Sequence, residues 1–474
     1  MVVMIIKNGY VVTMDEELKV IRDGAVVIDE DRIIEVGKTT DVLRKHHDDE
    51  VLDAKFMLVL PGFVNTHNHL YQTIMRGLGD DGEGMRPAGY RWDIDLLRGL
   101  DKEACYASGI MSMVEMIRSG ITCTQDSHYI NFHGDSIDGI AESARAAGVR
   151  LVLGRGSWDL KGLAPTELTE DIGTVIKESR KVSKKWNDGD MTKVIYEASL
   201  LSQVSDELIL ETKRAAREDG LGWGMHIQGP LASYKDDPRT GDKSLRRYGG
   251  RAIEYLHSLD VLGPDSLLIH CTFISNREIP ILAQTGTPVA HCPCANAWAG
   301  RSIVTPVPSM LDMGVTVGLG TDGAMTNNSL DMLHAMNFAA LINKVNYGTT
   351  KAMTAERILN MSTIQAARAL CLDNQVGSLE KGKKADIVLI DLKAPGIAPA
   401  ILPVKNLVYS ATSTCVDTVI INGKKVMERR ELLTLDEEKA VEESEKQAWK
   451  LVEGSGHLDL YPDFLNRGNM TYGD

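Results

Sequence analysis

Eight short apolar runs succeed one another through the middle of this chain: Met57–Val64, Ile121–Gln125, Val149–Leu153, Val194–Ala198, Leu221–His226, Leu267–Cys271, Pro288–His291 and Val315–Gly320. The intervals between them carry apolar residues at the helical period, as in Ala104–Arg118, Ile137–Ala147, Ser205–Glu218 and Ile253–Leu259. A helix placed between two strands returns the chain so that both strands run the same way, and the alternation therefore builds parallel sheet. The pattern predicts a (β/α)8 TIM barrel, with an open doubly wound sheet as the rival architecture.

The chain ends read differently. Ile5-Ile6, Val11-Val12, Ala25–Ile28 and Ile33-Ile34 are separated by Asn8-Gly9, Asp23-Gly24 and Asp29–Asp31, which is hairpin punctuation without a helical period. The same texture returns late in the chain, where Gly382–Asp386 leads into Ile387–Ile390 and Asn422-Gly423 closes Val416–Ile421. The two ends are expected to form one small β-sandwich from residues 1–57 and 375–434, around a barrel at 58–374. A peripheral helix (Asp436–Trp449) and a tail are expected over 435–474.

Composition narrows the function classes. A net charge of −14 repels both nucleic acid and an anionic membrane surface. No run approaches the roughly 18 apolar residues of a membrane helix. The opening MVVMIIKNGYVVTMD carries no basic leader, so no signal peptide is expected and the expected location is cytoplasmic. Seven scattered cysteines suit reduced thiols better than a disulfide framework. The tight pair Cys292-Pro293-Cys294 reads as strand and loop.

Chemistry concentrates at the ends of the apolar runs. In Pro61-Gly62-Phe63-Val64-Asn65-Thr66-His67-Asn68-His69, alternation along a strand sends His67 and His69 to the same side, as two imidazole ligands of one metal require. His226 ends the fifth run, His270 the sixth, and Asp322 follows the eighth. Barrel active sites lie at that rim, and a bland reading would need five polar residues to gather at the ends of four strands by coincidence.

These segments resemble the amidohydrolase superfamily, in the branch that holds guanine and S-adenosylhomocysteine deaminases and triazine hydrolases such as atrazine chlorohydrolase. The matching stretches are PGFVNTHNH (61–69), RSGITCTQD (118–126), VAHCPCAN (289–296), GTDGAMTNNSLDM (320–332), GSLEKGKKADIVLID (377–391) and VDTVIINGKKV (416–426). The resemblance implies a barrel flanked by a β-sandwich from both termini. It implies one divalent metal on His67, His69, His226 and Asp322, zinc first, with iron, manganese or cobalt as alternatives. The fourth run ends without the lysine that two-metal relatives carboxylate. A small-molecule substrate and a homodimer or larger homo-oligomer are implied as well. Such a metal would lower the pKa of water from about 15.7 towards 7. Asp322 would then shuttle the proton, and His270 would stabilise the developing charge.

Two departures shape the substrate reading. Related deaminases carry a glutamate three residues after the strand-five histidine, where this chain has Gly229, preceded by Gln228. They also carry a substrate-contacting histidine after strand four, which the run Glu197–Ser202 lacks. The expectation is hydrolysis of an amide, urea or carbamate, phenylurea hydrolases being the nearest analogy. The alternatives are a deaminase or dechlorinase of a purine, pterin or triazine, and a non-catalytic scaffold. Candidate substrate contacts are Tyr71, Gln72, Gln228, Trp158, Asn296 and His128. The loop Leu70–Trp92 is expected to border the pocket, while Asp126 and His291 read as structural.

Overall fold

The computed structural model describes residues 3–46, 50–78, 90–161, 164–227, 251–300 and 303–456. The N-terminal strands are β1 (Met4–Val12), β2 (Val20–Asp29), β3 (Arg32–Lys38), β4 (Glu50–Asp53) and β5 (Met57–Pro61). The strands β6 (Phe63–Asn65), β7 (Ile121–His128), β8 (Arg150–Ser157) and β9 (Thr192–Leu200) follow. The series continues with β10 (Gly222–Ile227), β11 (Ser266–His270), β12 (Val289–His291) and β13 (Val317–Leu319). Late in the chain come β14 (Ile387–Asp391), β15 (Val416–Ile421), β16 (Lys424–Glu428) and β17 (Glu431–Leu432).

Strands β6 to β13 pair in chain order, each parallel to the next. The first and last meet where the Thr66 N–H donates to the Leu319 carbonyl and the Asp322 N–H donates to the His67 carbonyl, both at 3.0 Å. This is the (β/α)8 TIM barrel. Alternation fills its interior with Val64, Cys123, Val152, Ile195, Leu267, Ile269 and Ala290, a cluster separate from the outward residues that pack under the helices.

The run Met57–Val64 is two strands, because the chain changes sheets at Gly62. Its N–H donates to the Asp386 carbonyl at 2.9 Å, and a Cβ there would lie 2.2 Å from the Thr122 side chain. Only glycine passes that point undistorted. Strand β5 joins a nine-stranded sheet of order β17-β16-β15-β14-β5-β1-β2-β3, with β4 also paired to β1. Strands from both chain ends thus share a core of Ile6, Val26, Ile28, Val59, Ile387, Leu389 and Ile420.

Two expected hairpin turns are bulges instead. Asn8-Gly9 lies inside β1 and Asp23-Gly24 inside β2, Gly9 faces Gly24, and the register shifts beside them. Asn8 and Asp23 hold φ of 62° and 53°. A residue with left-handed backbone that turns a hairpin elsewhere here only kinks a strand. Asn422-Gly423 does turn the hairpin between β15 and β16.

Charge joins the sheet to the barrel. Arg150 at the start of β8 is 1% exposed and donates twice to Asp386, at 3.1 Å each, and to the Asp190 carbonyl at 2.8 Å. Lys384 bridges Asp31 and Asp190 at 2.6 and 2.8 Å. The helix Glu437–Ser455 packs on the helix Lys102–Arg118, with Glu437 paired to Arg118. No helix among the described residues is long and apolar enough to cross a membrane.

Candidate metal centre and active site

At the C-terminal rim, His67, His69, His226, His270 and Asp322 converge from the ends of four barrel strands. The rings of His67 and His69 lie 4.7 Å apart, those of His67 and His226 4.8 Å, and those of His226 and His270 5.6 Å. The Asp322 carboxylate stands 3.6 Å from Nε2 of His67, of His69 and of His270. The ligand atoms of His67, His226 and His270, and those of His67, His69 and Asp322, lie within 4.8 Å of one another.

Each candidate ligand ring is oriented from behind. Nδ1 of His69 faces the Ser127 carbonyl at 2.7 Å, and Nδ1 of His226 faces the Ser199 carbonyl at 2.8 Å. Nδ1 of His67 faces Oε1 of Gln125 at 3.0 Å. An acceptor at Nδ1 places the proton there and leaves the Nε2 lone pair for a metal. Nε2 of His67 and of His226 is buried without a hydrogen-bond partner, a costly state that a bound cation relieves. Burial holds both rings well below the usual imidazole pKa, and it holds His69 below it against the pull of Asp322. Neutral imidazoles are what metal ligation needs. The donor set and its electrostatics fit a divalent cation.

Backbone strain marks the same place. His270 has φ of 71° and Asp322 φ of 63°, left-handed values that residues other than glycine rarely adopt. Both side chains leave their strands through this conformation.

The expected substrate contacts divide. Tyr71 is buried, with its ring 5.8 Å from His69. Gln72 is buried against the Asp322-Gly323 backbone, where a Cβ on Gly323 would meet its Oε1 at 2.0 Å. Trp158 is buried, its Nε1 lacks a hydrogen-bond partner, and its ring lies 4.8 Å from Tyr129. Asn296 reaches Thr305 at 3.5 Å, and Thr305 donates to the His270 carbonyl at 3.3 Å. His128 is buried against Tyr71 and bonded to Ser136 at 2.9 Å, and burial pushes it down to about 3. Gln228 and Gly229 lie outside the described residues, as do the side chains of Tyr90 and Arg91 and much of the loop Leu70–Trp92.

Asp126 accepts from the Leu70 N–H at 2.6 Å, anchoring the chain next to His69, and burial pushes its carboxyl up to about 7. His291 is buried on β12 with both ring nitrogens unpartnered. Cys292 lies just past β12, as the strand-and-loop reading has it, with its thiol within 4.8 Å of the ligand atoms of His270 and Asp322. Reading along the chain missed Tyr129, whose ring is 4.9 Å from His69 and 6.1 Å from His226. It missed Gln125, Glu197 and Ser199 too. An acid inside the apolar run VIYEASL was the available signal for Glu197.

A (β/α)8 barrel with four histidines and an aspartate gathered at its C-terminal rim has the donor set of a metal-dependent hydrolase. The chain belongs to the amidohydrolase family, whose model matches residues 58–426. It is therefore a hydrolase of small-molecule, non-peptide C–N bonds. It is 34% identical over 458 residues to a 5'-deoxyadenosine deaminase of Methanosarcina mazei, covering 95% of this chain and 98% of the relative. It is 34% identical to a 5-methylthioadenosine/S-adenosylhomocysteine deaminase of Pelotomaculum thermopropionicum, covering 95% and 99%. An adenosine deaminase from Xanthomonas campestris with bound zinc superposes with a TM-score of 0.87 at 25% identity, covering 95% and 98%. An atrazine chlorohydrolase variant from Arthrobacter aurescens, complexed with zinc and atraton, shares the fold with a TM-score of 0.84 at 23% identity, covering 94% and 100%. These relatives favour deamination of a purine-like heterocycle over the expected amide, urea or carbamate.

Proposed function

We propose that this protein is a single-zinc aminohydrolase that removes the exocyclic amine of an adenine-type nucleoside. The observation that carries the reading is an aromatic wall beside the candidate metal site. Tyr129 sits edge-on to His69, with Trp158 packed against Tyr129 and Tyr71 close behind. A flat heterocycle stacks on such a surface with its amine carbon near the ligands, while an aliphatic amide gains little from it. The deaminase relatives at 34% identity over nearly the whole chain support the same substrate class. Zinc in the adenosine deaminase structure supports the choice of metal.

His67, His69, His226 and Asp322 would hold the ion. When bound, it supplies the Lewis acidity that makes water nucleophilic at neutral pH. The Asp322 carboxylate accepts a proton from the attacking water and passes it to the departing amine. His270, across from that carboxylate, hydrogen-bonds the incoming oxygen as charge develops. One water enters, ammonia leaves, and the ring carbon becomes a carbonyl. Where deaminases use a glutamate to engage the ring, the described residues of this chain offer hydrogen-bond donors without a fixed charge. Trp158 Nε1 and Ser199 Oγ are both buried and unpartnered. Assembly as a homo-oligomer in the cytoplasm belongs to the same reading, and light scattering tests the assembly.

The test is a substrate panel on zinc-loaded protein, following ammonia release. Adenosine, 5'-deoxyadenosine and 5-methylthioadenosine should turn over with kcat/KM of about 10⁴ M⁻¹s⁻¹ or more, within the ordinary range for enzymes. Turnover of phenylureas, carbamates or amides with none on the nucleosides would overturn the proposal.

A further inference from the structure

One buried acid has no part in the chemistry above. Glu197 lies on β9 two residues past Ile195, so it projects into the barrel one layer above the apolar interior cluster. It is 1% exposed. The neighbouring strands make room for it with glycines. A Cβ on Gly154 of β8 would stand 2.2 Å from Glu197 Oε1, and one on Gly224 of β10 would stand 3.2 Å from the same side chain. A carboxyl buried in an apolar barrel is unfavourable unless its partners compensate. Its partners are two donors: Gln125 Nε2 at 2.8 Å and Ser127 Oγ at 2.9 Å.

We infer that Glu197 is a positioning residue for the metal centre, acting through Gln125 to fix which nitrogen of His67 faces the metal. The argument is one of hydrogen-bond polarity and rests on His67 being a ligand. Glu197 Oε1 accepts, whether or not Oε2 carries a proton, and so it selects the NH₂ end of the Gln125 amide. The amide oxygen is thereby turned to His67 Nδ1, 3.0 Å away. An oxygen acceptor at that distance selects the Nδ1–H tautomer and leaves Nε2 as the donor to a cation. The contrast with the other ligands sharpens the point. His69 and His226 face the backbone carbonyls of Ser127 and Ser199, whose polarity cannot invert. His67 faces a side-chain amide, which could present either end. Glu197 removes that ambiguity.

Zinc affinity, measured by chelator competition on metal-free protein and read apart from turnover, tests this. Glu197→Leu and Gln125→Leu should each weaken zinc binding about 10- to 100-fold, the usual size for an outer-shell partner. The double variant should be little weaker than either single one, because both break the same chain. Glu197→Gln, which keeps an acceptor oxygen but whose amide can present either end, should bind zinc more tightly than Glu197→Leu without reaching wild type. If Glu197→Leu does not fold, Gln125→Leu and the glutamine variant carry the test. Wild-type affinity in Gln125→Leu, multiplying effects, or failure of the glutamine variant to improve on the leucine variants would each overturn the proposal. His67→Ala separates the two readings. If it leaves zinc affinity unchanged, the ligand assignment itself fails. If it abolishes binding while Gln125→Leu binds normally, only the relay fails.

Discussion

The carboxylate of Asp322 stands 3.6 Å from Nε2 of His270, too far for a hydrogen bond and close enough for both to contact one small group between them. Both residues leave their strands with left-handed backbone, so the fold holds this pair at a local cost. Such strain persists only where the surroundings impose it.

The pair should separate under mutation. His270→Asn should lower kcat by about 10²- to 10³-fold, the scale of losing one charge-stabilising donor, while retaining bound metal. Asp322→Asn should lose proton transfer, worth about 10²- to 10⁴-fold, and weaken metal binding as well. Metal content and steady-state kinetics on the same preparations check both outcomes. Equal metal loss in the two variants would assign His270 to the ligand set.

Trp158→Ala and Tyr129→Ala remove the aromatic wall and leave every candidate ligand residue in place. Base stacking on an aromatic ring is worth about 1–3 kcal/mol, so each should cost roughly 5- to 150-fold in kcat/KM for a nucleoside. Zinc content should stay at the wild-type level. Unchanged kcat/KM on the nucleoside would show that the ring binds elsewhere.

Removing Asp386 should destabilise the junction between barrel and terminal sheet. It leaves Arg150 buried with half its guanidinium unpaired, and breaking a buried ion pair costs about 3–5 kcal/mol. Asp386→Ala should lower the denaturation midpoint by an amount that matches. The zinc affinity of the protein that remains folded should be unchanged.

Acid should destabilise the protein through His291, which burial pushes down to about 3. The unfolded chain takes up this proton as pH falls through the ordinary imidazole value, near 6.5, while the folded chain refuses it until about 3. Stability is therefore present above 6.5 and declines as pH falls, by about 1.4 kcal/mol per pH unit for one group. Replacing His291 with methionine should flatten the slope of unfolding free energy between pH 6 and 4 by about that amount. An unaltered slope would mean that His291 titrates normally.

The barrel was legible because a buried parallel strand is a run of apolar residues, and a polar residue ending such a run stands out. His67, His69, His226, His270 and Asp322 all announced themselves that way. Contacts between strands left no such trace. Gln125, Glu197 and Tyr129 meet the site through pairing of β7, β8 and β9, a register that no single segment encodes. The glycines at 154 and 224 hinted at something large between them, but only the register shows that it is Glu197. Asn8-Gly9 misled for a similar reason, since a left-handed residue serves a bulge as well as a turn. The preference for an acyl-nitrogen substrate rested on what Gly229 cannot do. Of the aromatic wall, Tyr71 and Trp158 stood among the expected substrate contacts, whereas Tyr129 and the packing of the three rings left no trace along the chain.

Metal titration of the chelator-stripped protein, with ammonia release from 5'-deoxyadenosine as the readout, tests the centre most directly. Turnover should be absent without metal, rise linearly with added zinc and stop rising at one equivalent per chain. Full activity in the stripped protein, or a requirement for two equivalents, would contradict a single cation held by His67, His69, His226 and Asp322.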